Sequence, residues 1–199
     1  MGELFIHDLS PYVGYHNCRT FVETGTGKGT GLAYALRYPF EKLYSIEYMA
    51  ELYEECVQKF TDSRVSLVHS DSLSGLEKIL DEMGESPALF WLDAHFPGAD
   101  FGFNSYDHLI DEPSLHKPLK EEVKLIASKR PKSRDVFIID DLQIYEDGPF
   151  ELLDQKFKDK YGEPGIDFIE EAFSETHYFK KDYRHQGFLI LTPKERNGN

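Results

Sequence analysis

Five times along this chain a short apolar or β-branched run is followed by apolar residues at helical spacing, and this alternation restricts the fold more than any other feature. The runs are Thr20-Phe21-Val22-Glu23, Leu43 to Glu47, Val65 to His69, Ala88 to Leu92 and Val136 to Ile139. After the first, Leu32, Ala35 and Leu36 are helically spaced and Pro39 stops the pattern. After the second, Tyr53, Cys56, Val57 and Phe60 fall on one helical face. Leu73, Leu76, Leu80 and Met83 follow the third run, with Gly84 as a candidate cap. Leu119, Val123 and Ile126 follow the fourth, from Pro118, and Phe150, Leu153 and Phe157 follow the fifth, from Pro149. Strands alternating with helices predict an α/β fold, a mostly parallel sheet with helices on both faces. The β-rich segment His177 to Thr192 predicts a terminal hairpin, and the first 19 residues are expected to cover an edge of the sheet. No repeat or low-complexity linker divides the chain, so residues 1–199 read as one domain.

Composition narrows the function. The net charge is −14, from 36 acids against 22 bases, which repels phosphate backbones and argues against a nucleic-acid partner. The densest basic stretch, Lys129-Arg130-Pro131-Lys132-Ser133-Arg134, reads as a solvated loop between a helix and a strand. No apolar run approaches the ~20 residues of a membrane span, so no membrane partner is expected. Signal-peptide patterning is missing, and Met1-Gly2 opens a myristoylation pattern that Ile6 breaks. Cys18 and Cys56 lack CxxC spacing and read as two free thiols in a reducing compartment, so the expected location is cytoplasmic. The tail from Lys194 to Asn199 is expected to be loose.

Chemistry concentrates first in the glycine loop Glu23-Thr24-Gly25-Thr26-Gly27-Lys28-Gly29-Thr30-Gly31, between a strand and a helix. Such a loop presents backbone N–H groups and lets a ligand approach the main chain. A P-loop would place its first glycine at Val22 and set Glu23 against a triphosphate, although Gly27-Lys28-Gly29-Thr30 keeps a nucleotide-dependent phosphotransferase as an alternative. A dinucleotide GxGxxG fails at Thr30. The spacing E-x-G-x-G-x-G is met by Glu23, Gly25, Gly27 and Gly29. On these residues the chain resembles the class I S-adenosyl-L-methionine (SAM)-dependent methyltransferases, whose ligand carries an ammonium and a sulfonium and no phosphate. The resemblance spans roughly residues 20 to 192. It implies a Rossmann-like seven-stranded sheet with the last strand antiparallel. It also implies a donor site of Glu23, Gly25, Thr26, Gly27, Gly29, Glu47, Asp71, Ser72 and Asp93, with Glu47 on the ribose hydroxyls and Asp71-Ser72 beside the adenine. His69 reads either as structural or as lining the adenine pocket.

A second acidic group follows. Asp93 ends the fourth run, and Asp140 and Asp141 end the fifth. Three carboxylates at neighbouring strand ends repel one another unless protonated or met by a cation. This arrangement is similar to the metal-dependent O-methyltransferases of the catechol and macrocin type, which implies Mg²⁺ on Asp93, Asp140 and Asp141. Forty-seven positions separate Asp93 from Asp140, longer than usual there, and the irregular insertion 94–117 accounts for the excess. The implied reaction is methylation of a small-molecule hydroxyl, on a sugar or an aromatic ring, with Asp93 or His95 as the catalytic base and a homodimer as the candidate assembly. Phe96, Phe101, Phe103, Tyr106 and His108 make the insertion a candidate cap over the acceptor, as acceptor-stacking rings or as a packed flap, and Tyr145 and Glu146 fall on the same rim. A non-catalytic SAM-binding interaction domain is the other alternative. Leu92-Asp93-Ala94-His95 also resembles a motif of arginase-like metal hydrolases, but the adjacent Asp140-Asp141 does not supply their second, alternating cluster.

Overall fold

In the computed structural model, residues 3–132, 134–163 and 165–195 are described; Met1-Gly2, Ser133 of the basic stretch and the tail from Arg196 lie outside the described residues. The strands are β1 (Thr20–Thr24), β2 (Lys42–Glu47), β3 (Val65–His69), β4 (Ala88–Leu92), β5 (Val136–Ile139), β6 (His177–Asp182) and β7 (Phe188–Pro193). The helices are α1 (Ser10–Gly14), α2 (Thr30–Ala35), α3 (Ala50–Lys59), α4 (Ser72–Glu82), α5 (Pro113–His116), α6 (Leu119–Lys129), α7 (Gln155–Tyr161) and α8 (Asp167–Phe173).

The seven strands form one sheet in the order β3-β2-β1-β4-β5-β7-β6. β1 to β5 run parallel, and β7 is antiparallel to both β5 and β6. β4 and β5 are buried at every residue, which explains their unbroken apolar runs. Alternate residues feed two cores. Val22, Phe90, Leu92, Phe137 and Ile139 face the layer of α4, α6 and α8. Phe21, Leu89, Trp91, Val136 and Ile138 face Leu32 and Ala35 of α2 together with Leu4, Leu9 and Val13. The first 19 residues thus cover a face of the sheet rather than its edge; their apolar side chains gain about 1.5–3 kcal/mol each from full burial, which an edge cannot supply.

Two helical expectations shift. The pattern from Pro149 becomes helical only at Gln155, because the Asp154 carboxylate caps the Phe157 amide at 2.9 Å. Phe150 instead packs on Tyr183. α8 was not anticipated; Ile166, Ile169 and Phe173 are its buried stripe. The basic stretch is also less solvated than expected. Arg130 forms a buried ion pair with Asp135, with Nε to Oδ2 at 2.7 Å, and donates to the Gly84 and Ser86 carbonyls at 2.9 Å each. Both cysteines are buried and unbridged.

This topology positions the site. β1 lies between β2 and β4, so the chain crosses the sheet between β3 and β4, and open sheets bind ligands at the carboxyl ends flanking such a switch.

Candidate functional site

The glycine loop begins where β1 runs out. Pairing extends past the strand, since the Gly25 and Thr26 amides donate to the Ile46 carbonyl at 3.0 and 3.1 Å. Gly25 has φ +79°, and a Cβ there would lie 2.6 Å from the Asp93 carbonyl oxygen, so only glycine lets β1 and the end of β4 approach this closely. At Gly31 a Cβ would meet Glu23 Oε1 at 2.1 Å. The glycines make room for the acid that opens the loop.

Glu23 is fully buried. Burial pushes its carboxyl up to about 8, although the Ser45 hydroxyl, donating to Oε2 at 2.5 Å, pulls the other way. Ser45 also shares a hydrogen bond of 2.6 Å with Thr26. A neutral acid held in a polar network is ready to ionise opposite a cationic ligand. Glu47, at the end of β2, accepts the Gly27 amide at 2.7 Å and the Met49 amide at 2.8 Å. Burial raises its carboxyl, and those amides oppose the rise. The Gly27 amide, which a phosphate would need, is therefore taken by a carboxylate. The Lys28 ammonium stands 5.6 Å from the Phe101 ring centroid. Neither feature suits a P-loop. Asp71 caps α4, accepting the Ser74 amide at 2.8 Å, and Ser72 begins that helix.

Glu23, Gly25, Thr26, Gly27, Glu47, Asp71, Ser72 and Asp93 all line one cavity of about 840 Å³, open solvent at its mouth included. Gly29 does not line it; it packs instead against Phe60 and Cys56 behind the loop. His69 does not line it either, since its ring stacks on Tyr53 and bonds the Tyr48 carbonyl. The wall opposite the loop comes from the insertion: Phe96 to Gly98, Asp100, Phe101, Ser114 and Leu115. Its aromatics divide by task. Phe96 is buried in a ring cluster with Tyr106, His116, Phe157 and Tyr161, which fastens the insertion to α7. Tyr161 Oη and Lys160 Nζ both bond Asp107. Phe101 packs over Gly27, and Phe103 is exposed.

The second acidic group assembles as expected in place but not in kind. The Asp93 amide donates to the Thr24 carbonyl at 3.2 Å and the Asp140 amide to the Leu92 carbonyl at 3.1 Å, which aligns the two acids at neighbouring strand ends. Burial, then their mutual repulsion with Asp141, raises the carboxyls of Asp93 and Asp140 well above the ordinary range. Asp141 adopts a left-handed backbone, φ +52°, which is costly for a non-glycine residue and typical of functional sites. Its Oδ2 bonds His95 Nε2, and His95 Nδ1 lies 3.1 Å from the Asp93 backbone carbonyl. Burial lowers the imidazole, but Asp141 and Asp140 outweigh it and lift the ring to about 9.

One Asp141 oxygen meets the His95 ring while the other, Oδ1, is buried with no hydrogen-bond partner among the described residues, where no group of three or more His, Cys, Asp or Glu is placed to hold a metal ion. Both His95 ring nitrogens face oxygen atoms, Nδ1 the Asp93 carbonyl and Nε2 the Asp141 carboxyl.

One participant escaped the sequence reading. Glu122 of α6 is buried behind the site, beside Asp93, His95, Asp140 and Tyr145. Burial raises its carboxyl to about 7, and neither of its oxygens has a hydrogen-bond partner among the described residues. Its signal was present: Leu119, Glu122, Val123 and Ile126 form one i, i+3, i+4, i+7 face, with an acid at a core position.

No protein-family model matches the chain, and no curated protein sequence does. Solved structures do. A Podospora anserina methyltransferase, PaMTH1, bound to S-adenosylhomocysteine (SAH), aligns with a TM-score of 0.59 at 14% identity, covering 96% of this chain and 76% of its own. A putative caffeoyl-CoA O-methyltransferase from Staphylococcus aureus aligns at 0.62 and 11% identity, covering 98% and 85%. A putative O-methyltransferase from Klebsiella pneumoniae aligns at 0.51 and 17%, covering 94% and 78%. At these identities the likeness is one of fold: the chain has the Rossmann-like fold of the class I SAM-dependent methyltransferases.

Proposed function

We propose that this protein is a SAM-dependent methyltransferase that moves the sulfonium methyl group to a hydroxyl of a small molecule. The observation that carries the proposal is the convergence of Glu23, Glu47 and Asp71, from three successive strand ends, on one cavity with the glycine loop. That cavity suits a ligand with cationic groups and hydroxyls and repels phosphate. The SAH-bound and O-methyltransferase neighbours support the same ligand.

In this mechanism Glu47 holds the ribose hydroxyls and Asp71-Ser72 border the adenine. Glu23 gives up its proton as the cationic donor enters. Transfer is an in-line displacement, so the chain's main contribution is to hold donor and acceptor in line and keep water out. Residues 94–117 act as the cap that bounds the acceptor. Asp93 lines the same cavity, and its carboxylate, once ionised, is the base that takes the hydroxyl proton. A sugar or aromatic acceptor fits the aromatic rim.

Incubation with methyl-labelled SAM and a panel of sugar and phenol acceptors tests the proposal. Label transfer that Asp93→Asn reduces by about a hundredfold, the scale of general-base catalysis, is the expected result. Tight SAM binding with no transfer to any acceptor would favour a non-catalytic SAM-binding domain.

A further inference from the structure

SAM carries an α-carboxylate beside its ammonium and sulfonium, and the acids of the cavity suit only the two cations. Glu23, Glu47, Asp71, Asp93 and Asp100 line that cavity and repel a carboxylate. The glycine loop does not receive the anion through its main chain. Its Gly25 and Thr26 amides donate to the Ile46 carbonyl, its Gly27 amide to Glu47 Oε2 and its Gly29 amide to the Thr26 carbonyl. Among the described residues, Lys28 is the one lysine or arginine that lines the cavity. Both ring nitrogens of His95, the other basic side chain there, already face protein oxygens.

The loop and the insertion together set the direction of Lys28. Cys56 Sγ reaches the Gly27 carbonyl at 3.4 Å, and Lys59 Nζ donates to the Lys28 carbonyl at 2.8 Å. Neither Cys56 nor Lys59 lines the cavity, so α3 holds this stretch of main chain from behind. The side chain stands against the insertion, with its ammonium 5.6 Å from the centroid of the Phe101 ring, which lines the same cavity. A ring face attracts an ammonium at that distance. It takes up none of the three N–H donors as a conventional hydrogen bond would. Among the described residues no carboxylate forms an ion pair with this ammonium.

We infer that Lys28 binds the α-carboxylate of the donor, with Phe101 holding the ammonium at the rim of the cavity. This role rests on the methyltransferase reading above. It gives the lysine of Gly27-Lys28-Gly29-Thr30 a carboxylate to meet in place of a phosphate.

Calorimetry on the full chain, without acceptor, compares SAM with decarboxylated SAM, which lacks only the α-carboxylate. Lys28→Ala is expected to weaken SAM binding by about tenfold, the scale of a hydrogen bond to a charged group, and to leave decarboxylated SAM unchanged. The second ligand thereby reports that the variant is folded. Lys28→Arg should restore most of the affinity for SAM. Lys28→Gln keeps more of the side chain and repeats the comparison if the alanine variant does not fold. Equal weakening of both ligands overturns the inference, and so does an unchanged affinity for SAM. In either case wild-type binding of SAM leaves the methyltransferase reading standing. A wild-type protein that binds neither ligand defeats that reading and the inference with it. ATP binding by wild type that Lys28→Ala abolishes makes the lysine a phosphate ligand and overturns the inference.

Discussion

The two ends of β5 carry the same kind of side chain in opposite settings. At the amino end, Asp135 is buried against Arg130, which reaches it through two nitrogens, and it also accepts the Ala88 amide at 2.8 Å. At the carboxyl end, Asp140 and Asp141 crowd Asp93 across the sheet, and burial with mutual repulsion pushes the Asp93 and Asp140 carboxyls up. One end has its charge matched and its hydrogen bonds made. The other stores repulsion that a single imidazole offsets. The difference separates a carboxylate that holds the fold together from carboxylates that keep a site reactive, and it places the reactive group where open parallel sheets bind ligands.

The largest effect belongs at the amino end. Arg130→Ala takes the guanidinium from a buried carboxylate and is expected to lower unfolding stability by about 3–5 kcal/mol. SAH affinity should be unchanged in the folded fraction, as measured by urea unfolding and calorimetry. Loss of affinity without loss of stability would erase the contrast.

Glu122 sharpens it next. Its carboxyl titrates near 7 in the fold against an ordinary 4.5. An acid with a raised folded pKa stabilises nothing by ionising: its cost appears as pH rises above 4.5 and is complete above 7. Stability relative to Glu122→Gln should therefore fall by about 3 kcal/mol between pH 4.5 and 8. Unfolding curves at both pH values check it, and parallel curves for the two proteins would place the ionised group elsewhere.

Glu47→Ala comes third. Two amide hydrogen bonds to a charged acceptor are lost from the glycine loop together with the ribose contact, so SAH affinity should drop by about 2 kcal/mol, some thirtyfold. Calorimetry reads it, and an unchanged affinity would leave Glu47 as a brace for the loop only. The smallest change is at the carboxyl end: Asp140→Asn removes one of the facing acids and should slightly stabilise the fold while impairing methyl transfer. A destabilised variant would mean that the acids there support one another.

The glycine-loop side of the cavity was legible because its information is local. Glu23, Gly25, Gly27, Glu47 and Asp71 follow their strands directly, and buried parallel strands announce themselves as apolar runs. The acceptor half depends on side chains meeting across the sheet. Asp93, His95, Asp140 and Asp141 are visible in the sequence, yet which ring nitrogen meets which oxygen depends on the folded backbone, and an Asp does not advertise the left-handed conformation that Asp141 adopts. The insertion stays open in the sequence for the same reason: whether Phe96 and Tyr106 are acceptor-stacking rings or a packed flap depends on α7, which packs against them. α7 began late because Asp154 outcompeted Pro149 as its start, and α8 is only seven residues long.

The most direct measurement is a calorimetric titration of the purified protein with SAH, with ATP as the parallel ligand. The account predicts saturable SAH binding at micromolar concentration, a release of about 8 kcal/mol, and no heat from ATP. Binding of ATP without SAH would contradict it, and would turn the glycine loop and its acids into a nucleotide site.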